Sequence, residues 1–369
     1  MAHVQRRPFR RRSASPAVEQ AVEQAVEQAV GRAMRVDSAV REFREQRARR
    51  RGRTPSIIPY TGYGSVSWVR VLGRVLITAQ VPSDSESPQE SFRGWRSFTG
   101  IPVDGAPIRV EIGDAVHHVV ADQGGVIDVR VEADLTPGWH RARLSIEGED
   151  HALATASAPI FVLDPEAPFG IVSDIDDTVM MTALPRPLLA AWNTFVLNEH
   201  ARSPTPGMAV LYDRIHQAHP AAPFLYLSTG AWNVAPTLGR FLSRNLYPKG
   251  PLLLTDWGPT PDRVFRSGRA HKIAELERLA TEFPDVRWLL FGDDGQHDEE
   301  TYSGFAEAHP QNVAAICIRQ LSTSEAVLAG GHSRERWREQ TTRADWVFAP
   351  NGGGFTKHLE ATGVLPPLV

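Results

Sequence analysis

Ten residues, Phe169-Gly170-Ile171-Val172-Ser173-Asp174-Ile175-Asp176-Asp177-Thr178, constrain this chain more than any other stretch. A run of apolar and small residues arrives at three carboxylates within four positions, and a threonine closes it. Such a run, lacking alternation, reads as a short strand covered on both faces, as in a parallel sheet. Two acids then stand at its carboxyl end, where open α/β sheets bind their ligands. Carboxylates two positions apart on a turning loop can share a hard divalent cation such as Mg²⁺, with phosphate oxygens completing its shell. One can act as a nucleophile toward phosphorus while the other handles protons. The same residues also make good helix caps, so the stretch takes its meaning from the residues downstream of it.

Those downstream residues alternate between two patterns. Apolar runs at Phe224–Leu227, Leu252–Leu254, Trp288–Phe291 and Val313–Ile318 read as buried strands. Helical patterns over Gly207–His219, Val234–Asn245, Ala270–Glu282 and Glu299–His309 separate them. This succession predicts an α/β fold with a doubly wound parallel sheet over residues 165–369. Residues 179–206 exceed a usual βα loop and are expected to form a small cap.

Upstream the pattern changes. Residues 61–164 carry seven short runs, among them Val66–Leu72, Arg74–Gln80 and Ala152–Leu163, broken by Gly, Pro, Asp and Ser. That spacing predicts an all-β sandwich of immunoglobulin-like type, a binding or structural module without a catalytic grouping of its own. Residues 1–60 hold fourteen arginines against six acids, a local charge of +8 in a chain whose net charge is −3. Ala-Val-Glu-Gln, repeated three times from Ala17, and the stretch up to Arg51 read as helical. This basic, partly disordered arm is either a solvated appendage or a contact for anionic lipid. No aromatic platform accompanies its arginines, so no nucleic-acid partner is expected.

Three further features stand where phosphoryl transfer would need them. Ser228 ends the Phe224 strand and precedes Thr229 and Gly230, so a hydroxyl and two backbone amides are offered beside the acids. Only three of the forty basic residues are lysine, and one of them, Lys272, opens a helix whose dipole disfavours it. A bound anion would explain that placement. The Trp288 strand ends in Gly292-Asp293-Asp294-Gly295-Gln296-His297-Asp298, so Asp293 and Asp298 can join Asp174 around a cation.

The four motifs, in this order, resemble those of haloacid-dehalogenase-like (HAD-like) phosphohydrolases. The wording SDIDDTV, YLSTGAWN and FGDDGQHDEETY is similar to the actin-patch-type phosphatidate phosphatase family, with Ala231 where that family has proline and Trp232 kept. The resemblance implies Asp174 as nucleophile, Asp176 as general acid and base, and Thr178 as a residue orienting the loop. It implies Ser228 and Lys272 as phosphoryl ligands, with Thr229, Gly230 and Trp232 beside the substrate. Mg²⁺ would be held by Asp174, the Asp176 carbonyl and Asp293, with Asp298 direct or through water. The implied reaction is hydrolysis of phosphatidate to diacylglycerol and phosphate. A soluble HAD phosphatase of a small metabolite or phosphoprotein, and an inert scaffold, are the competing readings.

The single cysteine, Cys317, lies in an apolar run and reads as a core residue of a reducing compartment. No apolar segment is long enough to span a bilayer. The expected location is cytoplasmic, peripheral to a membrane if the basic arm binds one.

Overall fold

The computed structural model describes residues 42–77, 100–149, 154–181, 203–255, 268–295, 297–322, 325 and 344–367. Residues 182–202 of the expected cap, most of the basic arm, Gln296 and residues 78–80 of the expected Arg74–Gln80 run lie outside them.

A β layer comes first. Its strands are β1 (Pro55–Pro59), β2 (Gly62–Ser65), β3 (Trp68–Ile77), β4 (Ile101–Pro102), β5 (Pro107–Ile112), β6 (Ala115–Val120), β7 (Val126–Glu132), β8 (Gly138–Ile146) and β9 (Thr155–Val162). Hydrogen bonds join them in the order β1-β3-β2-β9-β8-β5-β6, with β4 and β7 attached to β3. All pairs are antiparallel except β2 with β9. Period-two burial is clear in β5, where Ile108, Val110 and Ile112 face the core and Pro107 and Arg109 face out.

Two expectations change here. The runs on either side of Gly73 are one strand, because β3 continues through Gly73 with Pro59 and Ile127 opposite it. A Cβ at that position would sit 3.2 Å from the Ile58 carbonyl oxygen, so glycine permits close strand approach there rather than a turn. The β layer also begins at Pro55, inside the stretch assigned to the arm. Just before it, helical residues 42–50 dock on the layer: Ala48 is buried in its core, and Arg49 pairs with Glu149 at 2.6 Å.

The second half is a six-stranded parallel sheet among the described residues. Its strands are β10 (Gly170–Asp174), β13 (Phe224–Ala231), β14 (Leu252–Thr255), β15 (Trp288–Asp293), β16 (Val313–Arg319) and β17 (Trp346–Ala349), in the order β14-β13-β10-β15-β16-β17. A two-stranded ribbon, β11 (Met180–Met181) with β12 (Ser203–Pro204), brackets residues 182–202. Helices α1 (Met208–Ala218), α2 (Ala235–Arg244) and α5 (Gly352–Ala361) cover one face of the sheet. Helices α3 (Gly268–Glu282) and α4 (Asp298–Ala308) cover the other.

Alternate residues of each strand feed the two cores. Ile171, Tyr226, Leu289, Phe291 and Cys317 pack with α1, α2 and α5, while Val172, Leu225, Leu290 and Ile316 pack with α3 and α4. The sheet is therefore doubly wound. The direction of winding reverses between β10 and β15, which is where such sheets form their ligand crevice. Strand β17 and helix α5 extend the sheet beyond the five strands legible in the sequence. Cys317 is buried in the core, as its neighbours suggested.

Candidate active site at the carboxyl ends of the parallel strands

Strand β10 is buried along its whole length and delivers Asp174 into the crevice, 1% exposed. After it the chain folds into a tight turn. Val179 and Met180 both donate their amides to the Ile175 carbonyl, and Asp177 donates to Met180. Asp177 adopts a left-handed conformation with φ 58°, which the turn imposes on a residue type that tolerates it. Thr178 is buried, and its Oγ1 has no hydrogen-bond partner among the described residues.

A residue that sequence reasoning missed helps hold the turn. Arg319, the last residue of β16 and 3% exposed, donates from Nη1 to the Asp177 carbonyl at 2.7 Å and from Nε to Pro350 at 3.3 Å. Its own carbonyl accepts from the amide of Asp294. One residue thus ties the two acid loops together. Its sole mark in the sequence is an arginine at the end of an apolar run.

Strand β15 places Asp293 directly beside β10, and α4 begins with Asp298. Asp298 lies against the strand, and its Oδ2 accepts from the Asp293 amide at 3.3 Å. Asp174, Asp293 and Asp298 offer carboxylate oxygens that all lie within 4.8 Å of one another. Lys272 comes from α3, which starts at Gly268, so the lysine occupies its second turn. Its Nζ lies 2.6 Å from Asp174 Oδ1 and 2.5 Å from Asp298 Oδ1, with the side chain 3% exposed.

Electrostatics follow from this crowding. Burial pushes the Asp174 carboxyl well above the ordinary range, and the charges of Asp298, Asp293 and Asp176 push the same way against Lys272. Asp293 is raised in the same manner, by burial and then by Asp298. Burial alone would lower the Lys272 ammonium, but Asp174 and Asp298 outweigh it and hold it charged. Within the cluster one ammonium faces several buried acids, an imbalance that one more positive charge would relieve.

The residues fit a divalent ion in a further respect. Asp174 Oδ2 is buried and has no hydrogen-bond donor among the described residues, and an all-oxygen set suits Mg²⁺ or a similarly hard cation.

The carboxyl-terminal half of β13 and the residue after it close the site. Ser228, fully buried, donates from Oγ to Asp176 Oδ2 at 3.1 Å and accepts from the Gly230 amide at 3.0 Å. The Gly230 amide is therefore turned inward to the serine. Thr229 packs on the start of α3, where a Cβ at Gly268 would fall 2.6 Å from its Cγ2. The Trp232 ring is buried and stacks on Tyr60 of the β layer, with centroids 4.7 Å apart. Arg186, Trp192, Phe195 and Arg202 of the expected cap, and Trp257 after β14, lie outside the described residues.

The structure thus gathers Asp174, Asp176, Ser228, Lys272, Asp293 and Asp298 in one crevice. Residues 169–320 match the family model of the catalytic domain of phosphatidate phosphatase APP1. That segment is an APP1-type catalytic domain. Phosphatidate phosphatase APP1 of Saccharomyces cerevisiae is 26% identical over 206 residues, covering 55% of this chain and 34% of the yeast protein. An uncharacterized Schizosaccharomyces pombe protein is 26% identical over 187 residues, 48% of this chain and 29% of that one. The chain therefore spans about a third of the length of these relatives. A HAD-family hydrolase of Deinococcus radiodurans, solved with phosphate and sodium, aligns over 55% of this chain at 13% identity and a TM-score of 0.31. Neither in the APP1-type domain nor in the β layer is any helix among the described residues long and apolar enough to cross a membrane.

Proposed function

We propose that this chain is a Mg²⁺-dependent phosphatase that hydrolyses phosphatidate, or a closely related lipid phosphate, to diacylglycerol and phosphate. The observation that carries the reading is Lys272 seated between Asp174 and Asp298 in a buried acidic crevice of an APP1-type domain. Mg²⁺, held by the carboxylates of Asp174 and Asp293, the Asp176 carbonyl and Asp298 directly or through water, would neutralise charge on the transferring phosphoryl group.

The chain's own residues then divide the work. Asp174 attacks phosphorus through a carboxylate oxygen, and the bond from phosphorus to the glycerol oxygen breaks with its electron pair passing to that oxygen. Asp176 gives that oxygen a proton. In the second half Asp176 takes a proton from water, whose oxygen attacks phosphorus, releasing phosphate and restoring the Asp174 carboxylate. Lys272 and Ser228 hold phosphoryl oxygens.

The phosphatidate assignment draws its support from the name of the yeast relative and from the +8 charge of residues 1–60, which suits an anionic lipid surface. We read the molecule as a cytoplasmic protein, peripheral at membranes, without a nucleic-acid partner. In this reading an arm of residues 1–60 precedes an immunoglobulin-like β module (61–164, with its first strand at Pro55) and a HAD-like domain (165–369).

The test is phosphate release from phosphatidate in mixed micelles, with Mg²⁺ and with chelator, for wild type and Asp174→Asn, beside a panel of soluble phosphomonoesters. Mg²⁺-dependent release that falls at least about 10³-fold in the variant is expected, the scale of losing a covalent nucleophile. Turnover of soluble esters alone would sink the lipid assignment and keep the chemistry.

A further inference from the structure

The β layer touches both elements that would hold a phosphoryl group. On one side Tyr60, between β1 and β2, stacks flat on Trp232, with ring planes 15° apart, and its hydroxyl donates to the Trp232 carbonyl at 3.1 Å. Tyr60 is itself buried and fixed by its amide's bond to the Leu72 carbonyl. Trp232 lies four residues beyond Ser228. The intervening segment is where the β13–β14 register shifts, so regular ladder bonds do not define it. Its carbonyls at Thr229 and Gly230 accept from Thr255 Oγ1 at 3.2 and 3.3 Å, and Tyr60 fixes the far end.

On the other side the layer grips α3. Glu282, the last residue of that helix, accepts from Tyr63 Oη and from Arg70 Nη1, each at 2.9 Å. Arg70 Nε pairs with Asp128 at 2.7 Å, Asp128 faces Arg278 at 3.5 Å, and Arg278 pairs with Glu275 at 3.0 Å. Beneath this network Trp68 packs on Phe283 with centroids 5.2 Å apart. Lys272 stands ten residues before Glu282, about 15 Å along a stiff helix, so holding the distal half of α3 fixes the line along which the lysine approaches. Apolar packing alone would supply adhesion. A partly buried chain of charge pairs fixes register and orientation, and a hydroxyl aimed at one main-chain carbonyl does the same for the serine segment.

We propose that the β layer is a working part of the phosphoryl site: through Tyr60 it positions the Ser228–Trp232 segment, and through Tyr63, Arg70 and Asp128 it positions the helix that carries Lys272. Tyr60 is on this account a positioning residue. The proposal rests on the reading of Ser228 and Lys272 as phosphoryl ligands, and it gives the β layer a role that fold stability does not require.

The experiment uses the full chain with Tyr60→Phe, Tyr60→Leu and wild type. Binding of inorganic phosphate in the presence of Mg²⁺ is measured by calorimetry, beside kcat and KM for p-nitrophenyl phosphate and the melting temperature. Tyr60→Phe keeps the ring and removes one hydrogen bond, and about fivefold weaker phosphate binding is expected. Tyr60→Leu also removes the stack and should weaken phosphate binding, and lower kcat/KM, by about tenfold to a hundredfold. If Tyr60→Leu fails to fold, Tyr60→Phe decides. Variants that melt earlier yet bind phosphate within about twofold of wild type would overturn the proposal and leave the β layer a stability brace. A wild type that turns over no ester but binds phosphate, with weakened binding in the variants, would sink the functional reading and uphold this one. A wild type that binds no phosphate overturns both.

Discussion

At Gly292, the penultimate residue of β15, a single Cβ would decide whether the acid cluster can form. That atom would fall 2.7 Å from Asp298 Oδ2, 2.8 Å from Asp298 Cβ and 2.7 Å from Tyr302 Cε2, closer than real Cβ contacts come. Neither neighbour can retreat cheaply, because both are buried and the Tyr302 hydroxyl is committed to the Phe291 carbonyl. Gly292→Ala is expected to push Asp298 off the cluster while leaving the sheet intact, since alanine suits a strand as well as glycine does. The readout is Mg²⁺ affinity by calorimetric titration, with a loss of about tenfold or more, the usual scale when a ligand's support is displaced. Unchanged affinity in a folded variant would remove Asp298 from the metal site. Asp174 and Asp293 were legible in the sequence because each stands at the end of an apolar run. The need for glycine at 292 was not, since it arises from a helix that returns to touch the strand.

Helix α3 carries a buried acid with a pH signature of its own. Burial raises the Glu275 carboxyl from 4.5 to about 7, with Arg278 opposing the shift and Asp128 adding to it. Between those values the folded chain holds a proton that the unfolded chain has released. Stability from this group is therefore highest at low pH and falls as pH rises from about 4.5 to about 7, a cost of roughly 3 kcal/mol once complete. Glu275→Gln removes the titration and keeps an acceptor for Arg278. It should raise the melting temperature at pH 8 and change it little at pH 5. A shift of equal size at both values would show that the carboxyl is not the source. The helix itself was readable from its periodicity to within two residues, as were α1, α2 and α4. Strand β17 was missed because four residues with one face exposed give too short a pattern. β3 was split in two because a glycine inside a strand looks like a turn when its neighbours across the sheet are unknown.

Across the whole molecule, the sequence separates the β half from the α/β half and says nothing of what joins them. The reason is physical: Tyr60 and Trp232 are 172 residues apart, and a contact of that range leaves no trace in local spacing. The two halves share their cores. Ile58, Tyr60, Leu72, Leu76 and Val126 belong to the same buried cluster as Trp232, Val234 and Leu238. Tyr63 and Trp68 belong to that of Leu276, Leu279 and Phe283. A fragment of residues 165–369 would expose the faces of Trp232 and Phe283 that the layer covers, at about 1.5–3 kcal/mol for each large side chain, and would leave Glu282 without its two donors. Against a net stability of about 5–15 kcal/mol for a domain, that loss is large. The fragment made alone is expected to melt about 10 °C or more below the full chain and to bind a hydrophobic dye, and co-expressing residues 42–164 should reverse both effects. A monomeric fragment that melts with the full chain and binds no dye would mean that the layer is an appendage, and that the charged network along α3 holds two bodies together without supporting either.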